Sequence, residues 1–149
     1  MITAVLDIIE KNYAYDSMFR YLRTGFTQLT RDEIDILDNY CLAVGIKGRK
    51  QWNNEWIRSS GQEEDTDLGL LNRLRREVIT PIDVLHKDIK EADGNVAAIT
   101  RALYEFIAGL DCERKLSSID VDSEEYGQIY KKIIELLDKI VELLGSEKV

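Results

Sequence analysis

The stretch DSEEYGQIYKKIIELLDKIVELLG, residues 122–145, sets Tyr126, Ile129, Ile133, Leu136, Leu137, Ile140, Leu143 and Leu144 at intervals of three and four. That spacing lines one face of an α-helix and cannot line one face of a strand. Asp122 and Glu125 stand at its start in the spacing of a capping box. Little more than three heptads are present, so packing within a bundle is favoured, with a coiled coil left open.

The same period recurs along the chain. Residues 2–12 place Ile2, Val5, Leu6, Ile8 and Ile9 at helical spacing. YDSMFRYLRTG follows, with Gly25 at a stop position and Arg20 and Arg23 near the helix C-terminus, where cations are favourable. In TRDEIDILDNYCLAVG, Thr30 suits an N-cap, Asp32 and Glu33 suit the first turn, and Gly45 suits the end. A further helix is expected from TDLGLLNRLRREVIT, capped by Asp65 or Thr66, its stripe mixing Leu68, Leu71, Leu74 and Val78 with Arg75. It should continue nearly in line through Pro81, the one proline, as ITPIDVLHKDIKEA. Asp93-Gly94 marks a turn before the amphipathic NVAAITRALYEFIAGL, and residues 112–118 suggest a short helical turn. No period-2 stretch and no internal repeat is visible. The expected fold is all-α, an irregular bundle of six or seven helices in a single domain over residues 1–149, with one long loop at about 46–65.

Several function classes are excluded by what is missing. No run approaches the roughly 18 apolar residues of a membrane span. MITAVLDIIEKNY has no basic leading region, and Asp7 and Glu10 interrupt it, so no signal peptide and a cytoplasmic location are expected. Cys41 and Cys112 lack CxxC spacing and read as buried thiols rather than metal ligands; His86 is the sole histidine. No nucleophile elbow, HExxH or EF-hand loop occurs, so no catalytic residue and no metal ligand is assigned. The run EEDTD reads as a solvated lead into a helix.

A net charge of −8 opposes non-specific coating of DNA. The charge is uneven, however: residues 1–60 carry eight basic and eight acidic side chains, residues 61–149 twelve and twenty. Within the balanced part, Lys47, Arg49, Lys50 and Arg58 face only Glu55 between residues 44 and 60. Gly45 and Gly48 are too close together for a Walker loop, and no GK[ST] follows. Gly45 reads as a helix end and Gly48 as part of a turn. Two readings of the basic rim stay open. Trp52 and Trp56 beside it could stack bases while the cations neutralise backbone, or they could anchor the loop to the core, the commoner use of such a pair. RLRRE, residues 73–77, is a second basic cluster; Arg73 and Glu77 at i, i+4 favour a solvated, internally paired face.

The segment YDSMFRYLRTGFTQLTRDEIDILDNYCLAVGIKGRKQW resembles part of the B subunit of AddAB-type ATP-dependent helicase–deoxyribonucleases, which runs FRYLKTGL, an acidic helix, then LENYxLxxGIxGxxxW. The matching residues are Phe19 to Phe26, then Leu37, Asp38, Asn39, Tyr40, Leu42, Gly45, Ile46, Gly48 and Trp52. Arg23 stands for Lys, Phe26 for Leu and Asp38 for Glu. LLNRLRREVITPI is similar to the family's LNxxRxxIxxPL helix, and YKKIIELLDKIVELLG to its closing helix. The resemblance is most specific over residues 15–52 and thins beyond about residue 90. It implies an excised internal piece, the helical accessory insertion within a motor-like domain, with neither ATPase nor nuclease activity of its own. The parent would use ATP, Mg2+ and an iron–sulfur cluster. With an A subunit, it would process double-strand DNA ends for homologous recombination and DNA repair. On that reading Lys47, Arg49, Lys50, Trp52 and Arg58 are the candidate DNA contacts. The alternative is a stand-alone α-helical protein-interaction module.

Overall fold

The computed structural model describes residues 1–58, 67–110 and 123–144. Seven helices lie among them, and no strand does: α1 Ile2–Glu10, α2 Tyr15–Leu22, α3 Arg31–Val44, α4 Arg49–Asn53, α5 Leu68–Glu91, α6 Val96–Gly109 and α7 Ser123–Leu144. The chain divides into two compact units, residues Met1–Ile82 and Asp83–Val149, with the boundary inside α5.

In the first unit α1 packs on α2, and α2 on α3. The apolar stripes meet in a core of Val5, Ile8, Met18, Phe19, Leu22, Leu37 and Leu74, all essentially without solvent exposure. Capping fixes where α3 begins and ends. The Thr30 hydroxyl accepts the Glu33 N–H while the Glu33 carboxylate accepts the Thr30 N–H, a complete capping box. The Thr30 N–H and the Thr30 hydroxyl both donate to the Glu33 carboxylate, which favours the ionised acid and holds Glu33 below its ordinary pKa, with Arg73 adding to the effect. At the other end Gly45 sits at φ +77°, and the Gly45 and Ile46 N–H groups both reach the Cys41 carbonyl. That is the left-handed termination that glycine accepts without a Cβ clash.

Two expectations need adjusting. Arg23 caps α2, which places Gly25 two residues later, still at positive φ. Asp67 accepts the Leu70 N–H at the start of α5, whereas the expected caps Asp65 and Thr66 lie outside the described residues. The stretch expected to be one loop contains α4, whose N-cap is Gly48 at φ +80°, ψ 151°. That region belongs essentially to glycine, and Gly48 donates its N–H to the Tyr13 carbonyl at 3.1 Å. Residues 59–66 with the acidic run up to Thr66, the turn at 112–118 with Cys112, and the Asp122 cap lie outside the described residues.

Helix α5 runs uninterrupted through Pro81. In the second unit Asn95 caps α6 by accepting the Ala98 N–H, and α6 packs against α7. Phe106, Ile107, Leu110 and Leu137 are buried there, whereas Leu136 and Leu143 of α7 are exposed. Among the described residues no helix is long and apolar enough to cross a membrane.

Candidate nucleic-acid interface

The segment from Ile46 to Arg58 has no hydrophobic period, yet it is fastened at almost every step. Ile46 is buried. The Lys47 N–H donates to the Gln51 side-chain oxygen at 2.7 Å. Trp52 is wholly buried and meets Trp56 edge-on, ring centres 5.3 Å apart, with Phe19 at 6.3 Å on its other side. Trp56 stacks on Tyr40 at 5.0 Å, and its indole N–H donates to the Gln51 carbonyl at 2.9 Å. The Tyr40 hydroxyl in turn donates to the Arg58 carbonyl at 2.8 Å. Tyr15 extends the aromatic row beyond Phe19, their ring centres 4.7 Å apart. Such offset and edge-on pairs add to the area that burial removes from water.

A second set of bonds comes from α5. The Asn72 amide accepts the Trp56 N–H at 2.9 Å and donates to the Trp56 carbonyl at 2.8 Å, taking both peptide groups of one residue. It also donates to the Leu68 carbonyl. The Arg75 guanidinium, 5 % exposed, donates to the Trp52 carbonyl at 2.8 Å and to the Asn72 oxygen at 3.1 Å. It lies over the Trp56 ring, 5.9 Å from its centre. Burial pushes the Arg75 pKa below its ordinary value, and the charge of Arg76 acts the same way; an arginine remains charged nonetheless.

The candidate DNA-contacting residues separate on this frame. Lys47, Lys50 and Arg58 are exposed, and among the described residues none of the three forms an ion pair. Arg49 is half-buried, its guanidinium 5.9 Å from the centre of the Tyr13 ring. Trp52 must be withdrawn: a ring with no exposed surface cannot meet a base, and its role is that of a core anchor. Of the other basic residues in the family-like segment, Arg31 is exposed and forms no ion pair among the described residues, while two are engaged internally. Arg20 pairs with Asp7 at 2.7 Å, and Arg23 pairs with Asp38, which also accepts the Tyr15 hydroxyl. Desolvation, then the bond to Asp38, push Tyr15 up to about 12. The RLRRE cluster does not act as one patch: Arg73 bridges Glu77 at 2.9 Å and Glu33 at 3.3 Å, Arg75 is buried, and Arg76 is exposed.

An apolar cleft of about 140 Å³ opens beside this segment, lined among others by Tyr40, Val44, Ile46, Trp56, Ile57 and Arg58. Ile57 stands 77 % exposed at its edge. Among the described residues no three His, Cys, Asp or Glu side chains cluster so as to hold a metal. Cys41 is buried, and desolvation raises its thiol pKa.

Sequence reasoning missed the Asn72–Arg75 clasp. A signal existed: asparagine is unfavourable inside a helix unless its side chain is engaged, and Asn72 and Arg75 share a face at i, i+3.

No protein-family model matches the chain. It is 37% identical over 168 residues to the B subunit of the ATP-dependent helicase/deoxyribonuclease of Clostridium acetobutylicum, covering 100% of this chain and 14% of that protein. The corresponding B subunit of Clostridium botulinum strain Hall is 34% identical over 166 residues, again with 100% and 14% covered. That of Clostridioides difficile strain 630 is 31% identical over 164 residues, with 99% and 14% covered. The chain thus spans about 14% of the length of the curated relatives it matches.

Proposed function

We propose, from the premise that this chain belongs as a segment to the B-subunit family of ATP-dependent helicase/deoxyribonucleases, that it is a helical accessory element without catalysis of its own. It serves as scaffold and as part of the DNA path in a protein that processes double-strand DNA ends for recombinational repair, together with an A subunit in the cytoplasm. ATP, Mg2+ and the iron–sulfur cluster belong, on this reading, to other parts of the parent protein. Lys47, Arg49, Lys50 and Arg58 contact the phosphate backbone.

One observation carries the reading. Arg20 and Arg23 are neutralised by Asp7 and Asp38, whereas Lys47, Lys50 and Arg58 stay exposed together on one firmly held segment, with no ion pair among the described residues. Exposed cations without partners gain by displacing counterions from phosphate, and held cations lose less entropy in doing so. Binding of the chain to duplex DNA should be weak and should fall steeply with salt. Reversing K47E, K50E and R58E together should abolish it; affinity that survives the reversals removes these residues from the interface.

A second reading draws on the apolar cleft and the exposed Ile57: a protein-interaction module docking on the A subunit. Sedimentation of the chain with purified A subunit, with and without I57E, separates the two. Co-sedimentation lost in I57E, alongside no DNA binding, favours docking.

A further inference from the structure

We infer that Asn72 and Arg75 are positioning residues for the DNA-contacting segment, and that the chain binds duplex DNA only while their clasp on Trp52 and Trp56 is closed. The inference rests on the reading of Lys47, Arg49, Lys50 and Arg58 as backbone contacts. Neither Asn72 nor Arg75 can touch DNA itself, since both are buried. Their bonds reach the segment at two places that lie between Lys50 and Arg58, with the cations on either side. Arg75 takes the carbonyl of Trp52, inside the short helix that carries Arg49 and Lys50. Asn72 takes both peptide groups of Trp56, two residues before Arg58.

The chemistry of the clasp fits holding rather than packing. No carboxylate among the described residues lies within ion-pair distance of the Arg75 guanidinium. A buried guanidinium whose counter-charge, Glu55, acts only from beyond ion-pair distance is a poor way to add stability, and an apolar side chain of similar volume often does better. What a guanidinium supplies instead is a rigid fork with fixed donor directions. Here the fork ties a backbone carbonyl to the amide of Asn72, which in turn fixes the next loop residues. With the clasp open, the four cations would be carried on a loosened stretch of chain. Each phosphate contact would then require ordering that segment at the moment of binding.

Linkage supplies a test on the unmodified protein. A ligand that binds only the closed form must stabilise that form. The Trp56 amide N–H is bonded to Asn72, so its hydrogen exchange reports opening. Saturation with a short blunt duplex at low salt should slow that exchange about tenfold or more. The Ala98 amide, held by Asn95 in the second unit, should keep its rate. The variants N72D, which removes the amide donors, and R75K, which keeps charge without the fork, should bind roughly tenfold more weakly. Their slopes of log affinity against log salt should be shallower, by about 0.9 for each phosphate they no longer neutralise. A clasp that merely supported the fold would lower thermal stability and leave the slope of the folded variants unchanged; that result overturns the inference. If neither variant folds, the exchange measurement decides alone, and a Trp56 amide indifferent to bound DNA overturns it. A wild-type chain that ignores DNA, or that binds equally well with K47E, K50E and R58E, refutes the surface and the inference together. Binding through those cations with Trp56 unaffected refutes the inference only.

Discussion

The segment 46–58 and the helix α7 invert the usual relation between pattern and burial. Helix α7 has the clearest apolar period in the chain, yet Leu136 and Leu143 face solvent. The segment 46–58 has no period, yet both of its tryptophans are buried. A repeating pattern reports that a helix forms and offers an apolar face. It does not say how much of that face finds a neighbour. An aperiodic stretch, by contrast, can be drawn into a core by bonds from residues far along the chain, as Trp56 is by Asn72.

Replacing Trp52 with alanine gives the sharpest test of this contrast, and the largest expected effect. Removal of so large a buried ring should destabilise the first unit by about 3–5 kcal/mol, read as a drop in urea midpoint. A loss no larger than that of a surface substitution would mean the tryptophan segment is not part of the core. Asn72→Leu comes next. It keeps the branching of the side chain but leaves the Trp56 N–H and carbonyl without their partner, at about 2–3 kcal/mol. Gly48→Ala should cost about 1–3 kcal/mol, because alanine is strained at φ +80°, ψ 151°; the space around it is open, with Asn12 atoms no nearer than 3.7 Å.

The pH dependence is a finer probe of the same unit. Tyr15 is raised from 10.0 to about 12 by desolvation and then by its bond to Asp38. The folded chain therefore holds a proton that the unfolded chain releases first, so this contribution to stability is present below pH 10 and is lost as pH rises toward 12. Thermal melts across that window should show a smaller loss in Tyr15→Phe than in the wild type. An equal loss in both would remove Tyr15 as the source. The smallest effect belongs to α7. Leu143→Glu should change stability by no more than about 0.5 kcal/mol, as exposed positions do. A large loss there would mean that the exposed face is covered, and the contrast between the two regions would collapse.

Much of the helical framework was legible from the residues. The Thr30 cap, the Gly45 termination, the helix continuing through Pro81 and the start of α6 after the Asp93-Gly94 turn all follow from local chemistry, where the signal and the structure lie within a few residues of each other. The candidate interface was legible in part. Its cations were evident as a local excess over Glu55, and the core-anchor use of the tryptophans was one of two open readings. The choice between those readings depended on partners 16 to 23 positions away. No window along the sequence contains that information. Arg75 shows the difficulty most directly: three arginines within four residues look alike on paper, and tertiary packing gives one to the core, one to two glutamates and one to solvent.

The grip of Asn72 has a consequence for how freely the adjoining surface can be rewritten. It holds only the peptide groups of Trp56, which every residue but proline would offer in the same form. Place and content are therefore separable along the chain. The exposed positions 54, 55, 57 and 58 can exchange acid for base, or polar for apolar, while the backbone beneath them is held by the same two bonds. A protein built this way can retune what it attracts without reopening the question of how it folds.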